Sequence, residues 1–143
     1  MSLQVILVDD DDMVIYLHKM LARLSGLAAD PLCFGDGKSA LEYLTTRYQP
    51  GTQYLILLDL NMPFMDGWAF LGQVQTQDFA DALSVVLVTS SIDQADRDQA
   101  REFKQVISVL EKPLNLAACR QIMDLPELKG RMETGAKPKN PSL

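Results

Sequence analysis

Residues 54–67 read Tyr54-Leu55-Ile56-Leu57-Leu58-Asp59-Leu60-Asn61-Met62-Pro63-Phe64-Met65-Asp66-Gly67, and this stretch decides the fold. Five apolar residues in a row, without the alternation of a half-exposed strand, fit a strand covered on both faces. The run stops at a carboxylate, Asp59, and residues 61–67 are loop chemistry, with Pro, Asp and Gly in close succession. Trp68, Phe70, Leu71 and Val74 then share one helical face. A covered strand, an acidic exit and a following helix together make one β/α unit.

The same pattern repeats outward in both directions. Short Val-, Ile- and Leu-rich runs recur at residues 5–8, 85–88 and 106–110. A helix is predicted over residues 12–25, where Met13, Leu17, Met20, Leu21 and Leu24 are spaced by threes and fours and Gly26 is a suitable stop. Residues 29–34 form a further strand, placed at an edge by Pro31, before Gly35-Asp36-Gly37 turns the chain into a helix carrying Ala40, Leu41, Tyr43 and Leu44. Residues 93–103 are polar and helix-favouring, and residues 114–123 form a last short helix. Five β/α units in alternation imply an α/β fold: a doubly wound, five-stranded parallel sheet with helices on both faces, a three-layer sandwich.

The 143 residues, 48% of them hydrophobic, suit one domain with a sizeable core. We place that domain at residues 1–125 and expect a weakly ordered tail at 126–143, where Gly130, Gly135, Pro138 and Pro141 accompany little apolar content. No apolar run approaches the roughly 18 residues of a membrane span, and the N-terminus lacks signal-peptide character, so a cytoplasmic protein with no membrane partner is expected. The formal charge of −6 disfavours a nucleic-acid partner, because that grip depends on clustered Lys and Arg. Cys33 and Cys119 are far apart in sequence and outside any CxxC or Cys/His cluster, so they read as ordinary buried thiols.

In an open α/β sheet, ligands collect beyond the C-terminal ends of the strands. Here those positions hold Asp9 and Asp10, then Asp59, then Thr89-Ser90-Ser91, then Glu111-Lys112-Pro113. Converging carboxylates repel by about 4 kcal/mol per close pair at an effective dielectric near 20, so they call for a counter-charge. An all-oxygen set favours Mg²⁺, with Mn²⁺ as the alternative. A carboxylate can accept a phosphoryl group when a metal and a cation offset the charge on its oxygens. Asp59 is then the nucleophile, Lys112 pairs with a phosphoryl oxygen, and Thr89 donates a hydroxyl hydrogen bond to another.

Val8-Asp9-Asp10, Leu58-Asp59-Leu60-Asn61-Met62-Pro63 with Met65-Asp66-Gly67, Val88-Thr89-Ser90-Ser91 and Glu111-Lys112-Pro113 resemble the motifs of response-regulator receiver domains. The resemblance covers roughly residues 4–124 and implies a flavodoxin-like fold. It implies Asp59 as phosphoacceptor, with Asp9, Asp10, Asp59 and the Asn61 backbone carbonyl as metal ligands. Thr89 and Lys112 become the phosphate-binding switch residues, and the Lys112–Pro113 bond is expected cis. The implied function is a phosphorylation-dependent switch of a two-component phosphorelay, fed by a sensor histidine kinase or a histidine phosphotransfer protein and read by an unknown downstream protein. Family members often carry Tyr or Phe three residues before the lysine; here Val109 takes that place, leaving the route to the downstream partner open. Asn61 and Ser91 flank the expected phosphate and are candidates for tuning its lifetime.

Two other functions share part of this pattern. Aspartyl-phosphate hydrolases resemble this arrangement but carry a second Asp two residues after the nucleophile, where this chain has Asn61; no enzyme turning over outside substrates is therefore expected. A phosphorylation-independent interaction module is disfavoured by the complete acidic set. The short stretch after Lys112 leads us to expect a stand-alone regulator without a DNA-binding domain. Asp11 and Asp12 read as helix-start residues. His18, the single histidine, is expected at a solvated or boundary position, and Trp68 as core or boundary filler.

Overall fold

The computed structural model describes residues 2–90 and 92–128. The elements follow the expected alternation: β1 (Ser2–Val8), α1 (Asp12–Ser25), β2 (Leu32–Phe34), α2 (Gly37–Arg47), β3 (Thr52–Asp59), α3 (Gly67–Val74), a 3-10 turn (Ala80–Ala82), β4 (Leu83–Thr89), α4 (Gln94–Ala100), β5 (Val106–Glu111) and α5 (Leu116–Met123). All strand pairs are parallel, in the order β2-β1-β3-β4-β5. The chain goes outward from β1 to β2 and returns on the other side of β1, so the order reverses between β1 and β3. A crevice opens beyond the strand ends at such a switch point.

Alternate residues of each central strand feed two separate cores, which is why these strands are apolar throughout. Ile6, Val8, Ile56, Leu58, Val85 and Leu87 pack with Ala40 and Leu44 of α2, Phe70, Leu71 and Val74 of α3, and Ala100 of α4. Val5, Leu7, Leu55, Leu57, Val86 and Val88 face Ala22 of α1, Ile122 of α5 and Leu128. Within the tail expected from residue 126, Leu128 is fully buried; residues 129–143 lie outside the described residues.

Most boundaries are set by caps. Asp11 caps α1, accepting from the Met13 and Val14 amides, and Gly26 ends it at φ 87°, where its amide bonds the Arg23 carbonyl. Asp36, Asp66, Asp93 and Asn115 cap the other helices in the same manner. Three elements are shorter than their sequence suggests. The strand expected from residue 29 begins only at Leu32, after Pro31, which has no amide for the ladder. The fourth helix spans Gln94–Ala100, and the last begins at Leu116 because Asn115 is its cap.

One irregularity re-aims the edge of the sheet. Val85 pairs with Val106 but Val86 pairs with Ser108, so Ile107 is an extra residue in β5. Past this bulge the inward alternation reverses: Val109 joins Val106 against the α2–α3–α4 side, and Leu110 joins Ile107 against the other. Trp68 and Phe103 stack on the same side as Val109, their ring centroids 6.1 Å apart.

The spacing that predicted α1 identified the helix but not its inward face. Met13, Tyr16, Met20 and Leu24 are exposed, and the buried residues are His18 and Ala22, with Ile15 and Leu21 partly covered. A helix with two apolar stripes does not reveal by spacing alone which one meets the sheet.

Candidate functional site

Asp9 ends the ladder of β1, where its amide donates to the Phe34 carbonyl at 3.1 Å. The residue is 3% exposed. Oδ1 accepts from the Asp11 amide at 2.9 Å, and Oδ2 accepts from Lys112 Nζ at 3.1 Å. Asp10 beside it is exposed. Asp59, the last residue of β3, is 1% exposed; its Oδ1 accepts from the Asn61 amide at 3.1 Å and lies 3.4 Å from Lys112 Nζ. Its Oδ2 is buried without a hydrogen-bond partner among the described residues.

Gly67 explains how the loop after Asp59 folds back so closely. Its amide donates to the Leu60 carbonyl at 3.0 Å, and a Cβ there would lie 2.9 Å from both the Asp59 carbonyl oxygen and Leu60 Cα. Only glycine fits this approach. Between Leu60 and Gly67, Phe64 stands at φ 68° and is fully exposed.

Lys112 comes from the far side of the sheet, from the turn after β5. Its amide donates to the Thr89 carbonyl at 2.7 Å, which ties the turn to the end of β4, and the Lys112–Pro113 peptide is cis as expected. Thr89 itself is buried at that strand end. Burial alone would lower the Lys112 pKa, but the hydrogen bond and charge of Asp9, followed by those of Asp59, outweigh it and hold the ammonium above its ordinary value. Burial pushes Asp59 up to about 6, with the charge of Asp9 adding to the rise and the Asn61 amide and Lys112 opposing it.

One ammonium therefore faces two buried carboxylates, with a third carboxylate beside them. Oxygens of Asp9, Asp10 and Asp59 all lie within 4.8 Å of one another. The hard, oxygen-only donor set fits a divalent cation of the Mg²⁺ kind. Asp9, Asp10, Asp59, Thr89 and Lys112 are thus brought to one crevice from four strand ends, and Asn61 touches it through its amide. Ser91 lies outside the described residues. Val109 is half-buried one strand away, paired with Leu87. Cys33 and Cys119 are both free, with thiols pushed up by burial.

His18 departs from its expected solvated or boundary position. It is 4% exposed on the sheet-facing side of α1, and its Nε2 accepts from the Leu114 amide at 3.3 Å. The signal available in the sequence is Ile15, His18 and Ala22 at helical spacing, a stripe masked by the more apolar one beside it.

The family model for the response regulator receiver domain matches residues 5–124. The chain is 34% identical over 92 residues to the probable methanogenesis regulatory protein FilR2 of Methanothrix harundinacea, an alignment covering 62% of this chain and 58% of that protein. It is 30% identical over 104 residues to the chemotaxis protein CheV1 of Helicobacter pylori, covering 70% of this chain and 31% of the relative, so it spans less than two thirds of either protein. Among solved structures, a two-component response regulator from Cytophaga hutchinsonii superposes with a TM-score of 0.78 at 26% identity, covering 93% of this chain and 98% of that one. The bacteriophytochrome response regulator RtBRR gives 0.74 at 25% identity, covering 100% and 99%.

Proposed function

The chain belongs to the response regulator receiver domain family, and from that premise we propose that it is a two-component signalling switch that takes a phosphoryl group onto Asp59. The observation that carries this reading is the asymmetry of the Asp59 carboxylate. Oδ1 is engaged by the Asn61 amide and Lys112, while Oδ2 is buried and without a partner among the described residues. That oxygen has a lone pair to offer an incoming phosphorus, and a carboxylate with a pKa of about 6 is mostly ionised at neutral pH.

The donor would be the phosphohistidine of a sensor kinase or of a histidine phosphotransfer protein. Asp59 Oδ2 forms the new O–P bond as the imidazole P–N bond breaks and the imidazole leaves with its electron pair. Lys112, already within 3.4 Å of Asp59, pairs with a phosphoryl oxygen, and the Thr89 hydroxyl takes another. Asp9 and Asp10, with Asp59 and the Asn61 carbonyl, would hold Mg²⁺, which supplies charge neutralisation when bound. The exposed stripe Met13, Tyr16, Met20 and Leu24 starts beside the acidic crevice and gives a donor helix an apolar surface. No carboxylate occupies position 61 to activate water, so the acyl phosphate is lost slowly and outside phosphate esters are not turned over. Asn61 and Ser91 are the residues proposed to set that lifetime.

Intact mass after acetyl phosphate and Mg²⁺ tests the assignment. Wild type gains one phosphoryl adduct and Asp59→Asn gains none; the same adduct on both proteins overturns it. Multiple turnover of a phosphate ester would replace the switch with a hydrolase.

A further inference from the structure

The turn that carries Lys112 has few backbone ties of its own. The Lys112 amide reaches the Thr89 carbonyl, Pro113 has no amide to give, and the next available donor is the Leu114 amide. That donor does not enter α5, whose first turn is capped by the Asn115 side chain bonding the Ala118 amide at 2.7 Å. It goes instead to His18 Nε2, 96 residues away in sequence, in a bond buried between α1 and the turn. Leu114 itself is 4% exposed in the core shared by α1 and α5.

We propose that His18 is a positioning residue of the phosphoacceptor site: by accepting the Leu114 amide it clamps the turn that presents Lys112 to Asp9 and Asp59. Lys112 is then held from both sides, by Thr89 before it and His18 after it, and its ammonium stays within 3.1 Å of Asp9 and 3.4 Å of Asp59. An imidazole accepts at Nε2 only in the neutral form protonated at Nδ1. Burial lowers the His18 pKa and favours that neutral form. Without the acceptor, the Leu114 amide is a buried donor without a partner, and the turn must shift or admit water to satisfy it.

The inference rests on Asp59 as phosphoacceptor, and two readouts keep the two claims apart. The first is amide hydrogen exchange at Leu114 in the metal-free protein; the second is the rate of Asp59 phosphorylation by acetyl phosphate with Mg²⁺. His18→Leu keeps the volume but removes the acceptor, and we expect exchange at Leu114 to speed up and phosphorylation to slow, each by about tenfold. His18→Gln places an oxygen near the former Nε2 and returns both to within about twofold of wild type, whereas the shorter His18→Asn does not. In a Lys112→Ala background, His18→Leu slows phosphorylation no further. An unchanged rate in His18→Leu, equal slowing in the Gln and Leu variants at equal melting temperature, or full slowing in the Lys112→Ala background overturns the proposal. If Asp59→Asn is phosphorylated like wild type, the phosphoacceptor assignment fails instead, and Leu114 exchange still decides whether His18 clamps the turn.

Discussion

Asp9 and Asp59 leave the sheet from β1 and β3, which have a paired strand on each side, whereas Lys112 leaves it from β5, at the edge. The central carboxylates are positioned by continuous ladders and by two cores that bury every residue from Tyr54 to Leu58. The edge lysine follows a bulged strand whose residues 106–110 are only half-buried, and its turn is tied down by two separate hydrogen bonds. The anionic half of the site is built from packing, and the cationic half from pins. A site with one rigid side and one adjustable side would suit the acceptance and release of a charged adduct proposed for Asp59.

This contrast can be broken at its rigid side first. Leu58→Ala, at a fully buried position one residue before Asp59, is expected to cost about 3 kcal/mol in urea unfolding, the usual range for such cavities. A cost below about 1 kcal/mol would mean that the centre yields as easily as the edge. Gly67→Ala forces a Cβ against the Asp59 carbonyl and Leu60, with an expected loss of about 2 kcal/mol and a slowed phosphorylation of Asp59.

The electrostatic cost of the buried carboxylate gives a smaller effect of opposite sign. The Asp59 pKa is raised from 3.8 to about 6 on folding, so this group favours the folded state most below pH 3.8, and that contribution is lost as pH rises through about 6. Asp59→Asn should therefore raise stability at pH 7 by about 1 to 2 kcal/mol after allowance for screening at the crevice mouth, with the advantage vanishing near pH 4. Thermal melts across that window check the sign; a variant less stable than wild type at pH 7 contradicts it. Val109→Ala, at the half-buried edge, is expected to cost about 1 kcal/mol or less. A loss comparable to that of Leu58→Ala would erase the distinction between centre and edge.

Much of this was legible in the sequence, for a physical reason. Two-sided burial makes the central strands apolar without interruption, and the polar residues that interrupt them fall at the strand ends, so Asp9, Asp59, Thr89 and Lys112 announce their own positions. The bulge at Ile107 was not legible, because Val106 to Leu110 carries no glycine or other mark where the alternation slips. His18 was hidden for a different reason. Its partner is a backbone amide, which any residue at position 114 except proline would supply, so no side-chain motif records the pairing. The outward stripe of α1 is more hydrophobic than the inward one, and a reading by periodicity alone follows the wrong face.

Trp68, the single tryptophan, follows the glycine that touches the Asp59 backbone, and its indole stacks on Phe103 just before the edge strand. It bridges the packed and the pinned halves of the molecule. The protein thus carries an intrinsic optical probe: indole emission, followed in a stopped-flow mixer, would time loading of the crevice without any attached dye.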